Sequence, residues 1–214
     1  PLSIPLEEAN LDNTRGQRKR NISVAEMASF IERRMSHPLD LVIVTMLIKT
    51  GIRPGELVNL DLRDVHLDHA GVNEWFPECR AKLEDRPDTI YVSPEPAEGE
   101  VYNGEKRIAS NKRLRETFIP IDEELKHVLV HYLNIRPSTE VVENALLVGV
   151  GGSSGWLNER IRTGTVFEHI HQPAKEEGWY VEPYHSMNVN PKYFRHFFTT
   201  PARANMDSTT VQYI

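Results

Sequence analysis

The stretch TGIRPGELVNLDLRDV, residues 50–65, closes one helix and opens another within a few residues. Behind Pro38, the residues Leu39, Val42, Ile43, Met46 and Leu47 recur at helical spacing, so this helix is almost purely core and Gly51 ends it. Pro54 suits the first position of a third, short helix carrying Glu56, Leu57 and Leu60. Arg53 is thereby placed at the junction, beside first-turn amides that have no partner in their own helix.

Working outward from that junction, residues 1–21 have no hydrophobic period and read as a linker. Ser23 and Glu26 form a capping box, and Val24, Met27, Ala28, Ile31 and Met35 mark the buried face of the first helix. From 72 to 121 the pattern alternates instead: TIYVS (89–93) and ETFIPI (116–121) read as strands. The long polar stretch between them holds Glu100, Asn103, Gly104 and a run of Lys and Arg. It predicts a small antiparallel sheet with an extended, mobile hairpin. Helices resume at Asp122, with Leu125, Val128, Leu129 and Tyr132 as the core face, and again over roughly 157–177. Asn190 caps, and Pro191 starts, a helix bearing PKYFRHFFTT (191–200). Pro201 is expected to end or kink it, and Asp207 to cap the last helix. The fold class expected is mainly α with a small antiparallel β-sheet.

Composition narrows the function. The chain has 214 residues, 39% hydrophobic and 26% charged, enough for a real core and near globular averages. One cysteine, Cys79, excludes an internal disulfide framework and suggests a reducing interior. No apolar run is long enough to span a membrane, and the polar start lacks the apolar run of a signal peptide. Net charge is −6, yet RGQRKR (15–20), the segment 106–115 and RHFFTTPAR (195–203) are locally basic. The glycines of VGVGGSSG (148–155) lack the Lys-Ser/Thr ending of a phosphate loop and read as a flexible loop. His169 and His171 fall on different faces of a helix with no cluster to complete a metal site, and no G-x-S-x-G elbow is present. No metal and no cofactor is implied.

What remains is a set of cations. Lys192 and Arg195 are three apart and share one helix face in its first turn, where backbone amides also favour an anion. With Arg53 and Lys112 they come from three separated segments, each beside an element boundary. Arginine offers a planar fork suited to phosphate oxygens, and lysine a compact charge that can donate a proton. Such groups, if they converge, suit a phosphoryl centre that gains negative charge in its transition state. A helical interaction domain whose cations are solvated is the rival reading of the same residues.

The segment 50–65 resembles the first signature of the tyrosine recombinase (phage-integrase-like) family: T-G-x-R, Glu three later, Leu-x-x-Leu, then Asp before a strand. PKYFRHFFTT resembles the second signature, H-x-x-R-H-x-x-x-T, with Lys192 where His is usual. The strand ending FIP is similar to the family's β-hairpin, and Lys112 stands where its lysine sits. The resemblance implies that Arg53 and Arg195 clamp the nonbridging oxygens of a scissile DNA phosphate. It implies that Lys192 holds the same phosphate and that Lys112 gives a proton to the departing 5′ oxygen. Glu56 then braces Arg53 or the helix rather than touching DNA, and His196 is the family's second, largely structural histidine. Lysine has no imidazole to act as a base near neutral pH, since its free pKa is about 10.4.

The resemblance also sets expectations for organisation. Residues 1–21 would be the linker from an N-terminal core-binding domain, and 22–214 a catalytic domain that stops before the nucleophilic tyrosine. Gly-His and that tyrosine would follow Ile214; Tyr193 and Tyr213 are not in its place. Expected partners are double-stranded DNA and other copies of the protein, as a tetramer at synapsis, in the cytoplasm and at the nucleoid. A non-catalytic DNA-binding regulator or decoy on the same fold is the alternative, and a type IB topoisomerase shares the chemistry.

Overall fold

Gly51 takes the left-handed conformation, with φ 61°, and its N–H reaches back to the Leu47 carbonyl at 3.2 Å. The helix it ends is the centre of the molecule. The computed structural model describes residues 20–137, 144–150, 158–180 and 187–205. The first helix, α1 (Val24–Arg34), opens on the expected capping box: Ser23 Oγ accepts from Glu26 N, and Ser23 N donates to Glu26 Oε2 at 2.7 Å. The central helix, α2 (Pro38–Thr50), buries Leu39, Val42, Ile43, Val44, Met46 and Leu47. A helix apolar on all sides must be enclosed by others. Here α2 packs chiefly on α5 (Glu123–Ile135) and α7 (Pro191–Asn205).

Between them come α3 (Pro54–Asn59), β1 (Val65–His66) and α4 (Ala70–Trp75), then β2 (Thr89–Val92), β3 (Val101–Tyr102), β4 (Glu105–Lys106) and β5 (Thr117–Pro120). The helix α6 (Thr163–Glu176) lies between α5 and α7 in the chain. Strands β1, β2 and β5 form one antiparallel sheet in that order, with Val65 opposite Ile90 and Ile90 opposite Ile119. The alternation places Ile90 and Ile119 in the core. The fold is mainly helical with a small antiparallel sheet, as expected.

Four local expectations change. The β2–β5 connection is no extended arm: β3 and β4 pair as a second small hairpin around Asn103 and Gly104, at φ 54° and 79°. Two consecutive positive φ values suit an Asn-Gly turn. Leu60 lies just past α3 as its C-cap. The helix placed at 157–177 starts only at Thr163, because Asn158 has φ 61° and Arg160 bridges Val148 in extended form. Finally, of the two outcomes expected of Pro201, the helix does not end there but runs on to Asn205. A proline inside a helix removes one backbone donor, and here the helix continues past that loss. Residues 1–19, read above as a linker, Gly151–Gly155, Asp207, Tyr213 and Ile214 lie outside the described residues.

Candidate active site

The end of α2 and the start of α3 turn so tightly that two basic side chains pair with one carboxylate and a third docks on the turn itself. Arg53 precedes Pro54 in extended conformation, and its backbone N–H donates to Glu56 Oε2 at 2.9 Å. Its guanidinium Nη1 donates to Glu56 Oε1 at 2.8 Å. Glu56 is fully buried, while the Arg53 side chain keeps 39% of its surface exposed. The carboxylate thus fixes the arginine from behind and leaves its other face to solvent. Because Glu56 is buried, losing its basic partners would leave an uncompensated charge in the interior, so the pair also fixes the orientation of Arg53.

Arg195 approaches from α7. Asn190 Oδ1 caps that helix, accepting from Lys192 N at 3.0 Å and Tyr193 N at 3.2 Å. Tyr193 and Phe194 are buried beneath it, which turns Arg195 toward the α2–α3 junction, where its Nη1 donates to the Gly51 carbonyl. Burial lowers the pKa of Arg195, as do the neighbouring charges of Arg53 and Arg113, against an opposite effect of Glu56. It nevertheless stays charged, since guanidinium titrates far above neutral pH. Arg53, Glu56 and Arg195 are thus brought together.

The third basic group is Arg113, which the sequence reading passed over. Its side chain is almost wholly buried and its Nη2 donates to Glu56 Oε2 at 3.2 Å. Burial lowers its pKa, Glu56 opposes that, and Arg53 adds to it. The one local signal was its place next to Lys112 in the basic segment 106–115. Lys112 itself is exposed, and so is Lys192 on the first turn of α7. Among the described residues, the ion pairs of Glu56 go to Arg53 and Arg113 rather than to either lysine. His196 is half-buried, its ring edge-on to Tyr193 with centroids 6.1 Å apart.

The other candidates find structural uses. His169 Nδ1 meets the Asp40 carboxylate, and His171 packs edge-on to Tyr180 at 4.2 Å between centroids. Among the described residues no group of three or more His, Cys, Asp or Glu could hold a metal ion. Cys79 is half-buried, and burial raises its pKa, which keeps the thiol protonated and unreactive. Among the described residues no helix is long and apolar enough to cross a membrane.

Comparison with solved structures decides the fold. The chain superposes on the XerA recombinase with a TM-score of 0.63 at 22% identity, covering 95% of this chain and 58% of that one. It superposes on the Tn1549 transposon integrase, solved in complex with transposon right end DNA, with a TM-score of 0.65 at 17% identity over 98% of this chain and 61% of that one. The fold is that of the tyrosine recombinases. A lambda integrase dimer bound to a COC′ core site shares it at TM-score 0.53 and 14% identity, over 94% of this chain and 47% of that one. The chain therefore spans well under two thirds of the length of these recombinases. No protein-family model matches the sequence, and no curated protein matches it. The likeness to tyrosine recombinases thus rests on architecture, with Arg53 and Arg195 in one cluster on that frame.

Proposed function

We propose that the chain is the catalytic domain of a site-specific DNA recombinase or integrase that cuts and rejoins DNA through a 3′-phosphotyrosine. The observation that carries this reading is the meeting of Arg53 and Arg195 around Glu56 on a tyrosine-recombinase fold. Two fixed, always charged forks at one place fit the nonbridging oxygens of a phosphodiester. They act on charge that grows as phosphorus becomes five-coordinate, which is where preorganised donors accelerate a reaction most.

In this mechanism a tyrosine of the full-length protein gives up its phenol proton to solvent and attacks phosphorus through the resulting oxyanion. The Tyr O–P bond forms and the P–O5′ bond breaks. Lys112 gives its proton to the departing oxygen, leaving a 5′ hydroxyl and a neutral amine. Lys192 adds a charge to the phosphate from the first turn of α7. Rejoining is the reverse, with the 5′ hydroxyl of another strand as nucleophile, so no cofactor or metal enters. The partners are double-stranded DNA and further copies of the protein, four at synapsis, in the cytoplasm and on nucleoid DNA.

The test is charge reversal, Arg195→Glu, in the full-length protein with a nicked DNA substrate. Covalent adduct should disappear while the thermal transition is retained. Adduct formed at the normal rate would sink the assignment. If the unsubstituted protein binds DNA and forms no adduct at all, the chain is instead a DNA-binding regulator on this fold.

A further inference from the structure

The β2–β5 connection lies flat on α3. A Cβ placed on Gly55 would come within 2.9 Å of the Ser110 carbonyl oxygen, so only a glycine permits this approach. One turn further along the same face, Asn59 Nδ2 donates to the Ala109 carbonyl and to Asn111 Oδ1, both at 2.9 Å. Asn111 Nδ2 in turn donates to the carbonyls of Ser93 at 2.9 Å and Glu95 at 2.7 Å, tying both arms of the connection together. Two residues on, Arg113 is anchored to Glu56. Asn111 and Arg113 therefore both point at α3, and Lys112 between them is exposed. The β3–β4 hairpin strengthens the arrangement from the other side, because buried Arg107 pairs with buried Asp61 just past α3.

We infer that Asn111 and Arg113 are positioning residues that register Lys112 against the helix whose first turn carries Arg53. The inference rests on the reading of Lys112 as proton donor given above. A lysine on a free arm must be found and ordered in each catalytic cycle. One whose two neighbours are tied to α3 starts from a fixed backbone, and a small misplacement of such a group can cost on the order of a hundredfold in rate. Glu56 makes the coupling direct: one oxygen holds Arg53 Nη1, and the other holds both Arg53 N and Arg113 Nη2. Neither positioning residue touches the DNA in this scheme.

The experiment uses the full-length protein and two DNAs, one ordinary and one with sulfur replacing the bridging 5′ oxygen of the scissile phosphate. When the P–S bond breaks, the thiolate leaves without needing a proton, so a defect in proton delivery vanishes on the sulfur substrate. Arg113→Ala should slow cleavage of ordinary DNA by about a hundredfold, with DNA affinity unchanged, and recover on the sulfur DNA. Arg113→Lys should be slowed less. Equal slowing on both substrates, or a rate loss matched by a loss of DNA affinity, overturns the inference. Lys112→Ala separates the two claims. If it recovers on sulfur and Arg113→Ala does not, the positioning role is wrong and Lys112 stands. If Lys112→Ala fails to recover, the proton-donor reading is wrong and the inference falls with it. Should Arg113→Ala lose its cooperative thermal transition, Arg113→Lys and Asn111→Ala carry the same comparison.

Discussion

Arg107 Nη2 lies 2.9 Å from Asp61 Oδ1, and neither side chain has any exposed surface. Asp61 also accepts from Arg160 at 2.6 Å and from Asn103, while Glu105 holds Arg160 at 2.8 Å. This network joins the β3–β4 hairpin to the end of α3 and to Arg160, three residues before α6. Removing the shared carboxylate leaves two buried guanidinium groups with backbone carbonyls and half-buried Glu105 as their acceptors. Asp61→Asn should therefore cost about 3–5 kcal/mol in urea unfolding. The double variant Asp61→Asn/Arg107→Met should lose less than the sum of the singles. A loss under about 1 kcal/mol for Asp61→Asn would mean that water reaches the site.

Gly51 ties stability to the arginine pair. Its φ of +61° already disfavours a side chain, and an added Cβ would fall 2.4 Å from Phe198 Cδ1. Gly51→Ala should destabilise by about 1–3 kcal/mol in thermal or urea unfolding. Its carbonyl is the acceptor for Arg195, so the same shift would move that guanidinium. Adding Phe198→Ala relieves the clash but not the backbone strain. The double variant should then recover part of the cost that is specific to Gly51→Ala, and full additivity would disprove the contact.

A pH effect follows from Glu177, which caps α6 and binds Arg34 and Arg33 of α1. The hydrogen bond from Arg34, then the charges of Arg33 and Arg34, hold its carboxyl below the ordinary value of 4.5. Below 4.5 the unfolded chain takes up the proton first, so folding stability rises with pH through that window. The contribution is complete above the unfolded value and lost as pH falls through the folded one. Between about pH 5 and pH 3 the unsubstituted chain should lose stability more steeply than Glu177→Gln. Parallel curves for the two would show that the pair does not couple α1 to α6.

Much of this fold was legible because its signals are local. Ser23 with Glu26, Gly51, Pro54, Asp122 and Asn190 with Pro191 each act within one helical turn, and each element begins or ends as read. The strands at 89–92 and 117–120 show their alternation plainly. The β3–β4 hairpin did not, because strands of two residues carry no period, and it is held by Asp61, 46 positions away from Arg107. Arg113 was missed for the same reason: its partner Glu56 lies 57 residues back, and only the folded chain brings them together. In α4, Val72 alone is buried, which leaves no apolar stripe to read.

Lys192 is the residue in which the resemblance and the chemistry disagree, and salt dependence can decide its role. It stands exposed on the first turn of α7, three residues before Arg195. A lysine that neutralises a DNA phosphate releases counterions, and its loss should flatten the slope of log K against log salt by about 0.9. Lys192→Ala is therefore expected to weaken binding and flatten the slope by that amount in a titration of this chain with duplex DNA. Lys192→His should behave like the unsubstituted chain well below pH ~6.5, where imidazole is charged, and like Lys192→Ala above it. The unsubstituted lysine should show no such pH dependence, since ammonium stays charged throughout. An unchanged slope in Lys192→Ala would place the side chain away from the DNA and leave Arg53 and Arg195 as the whole of the clamp.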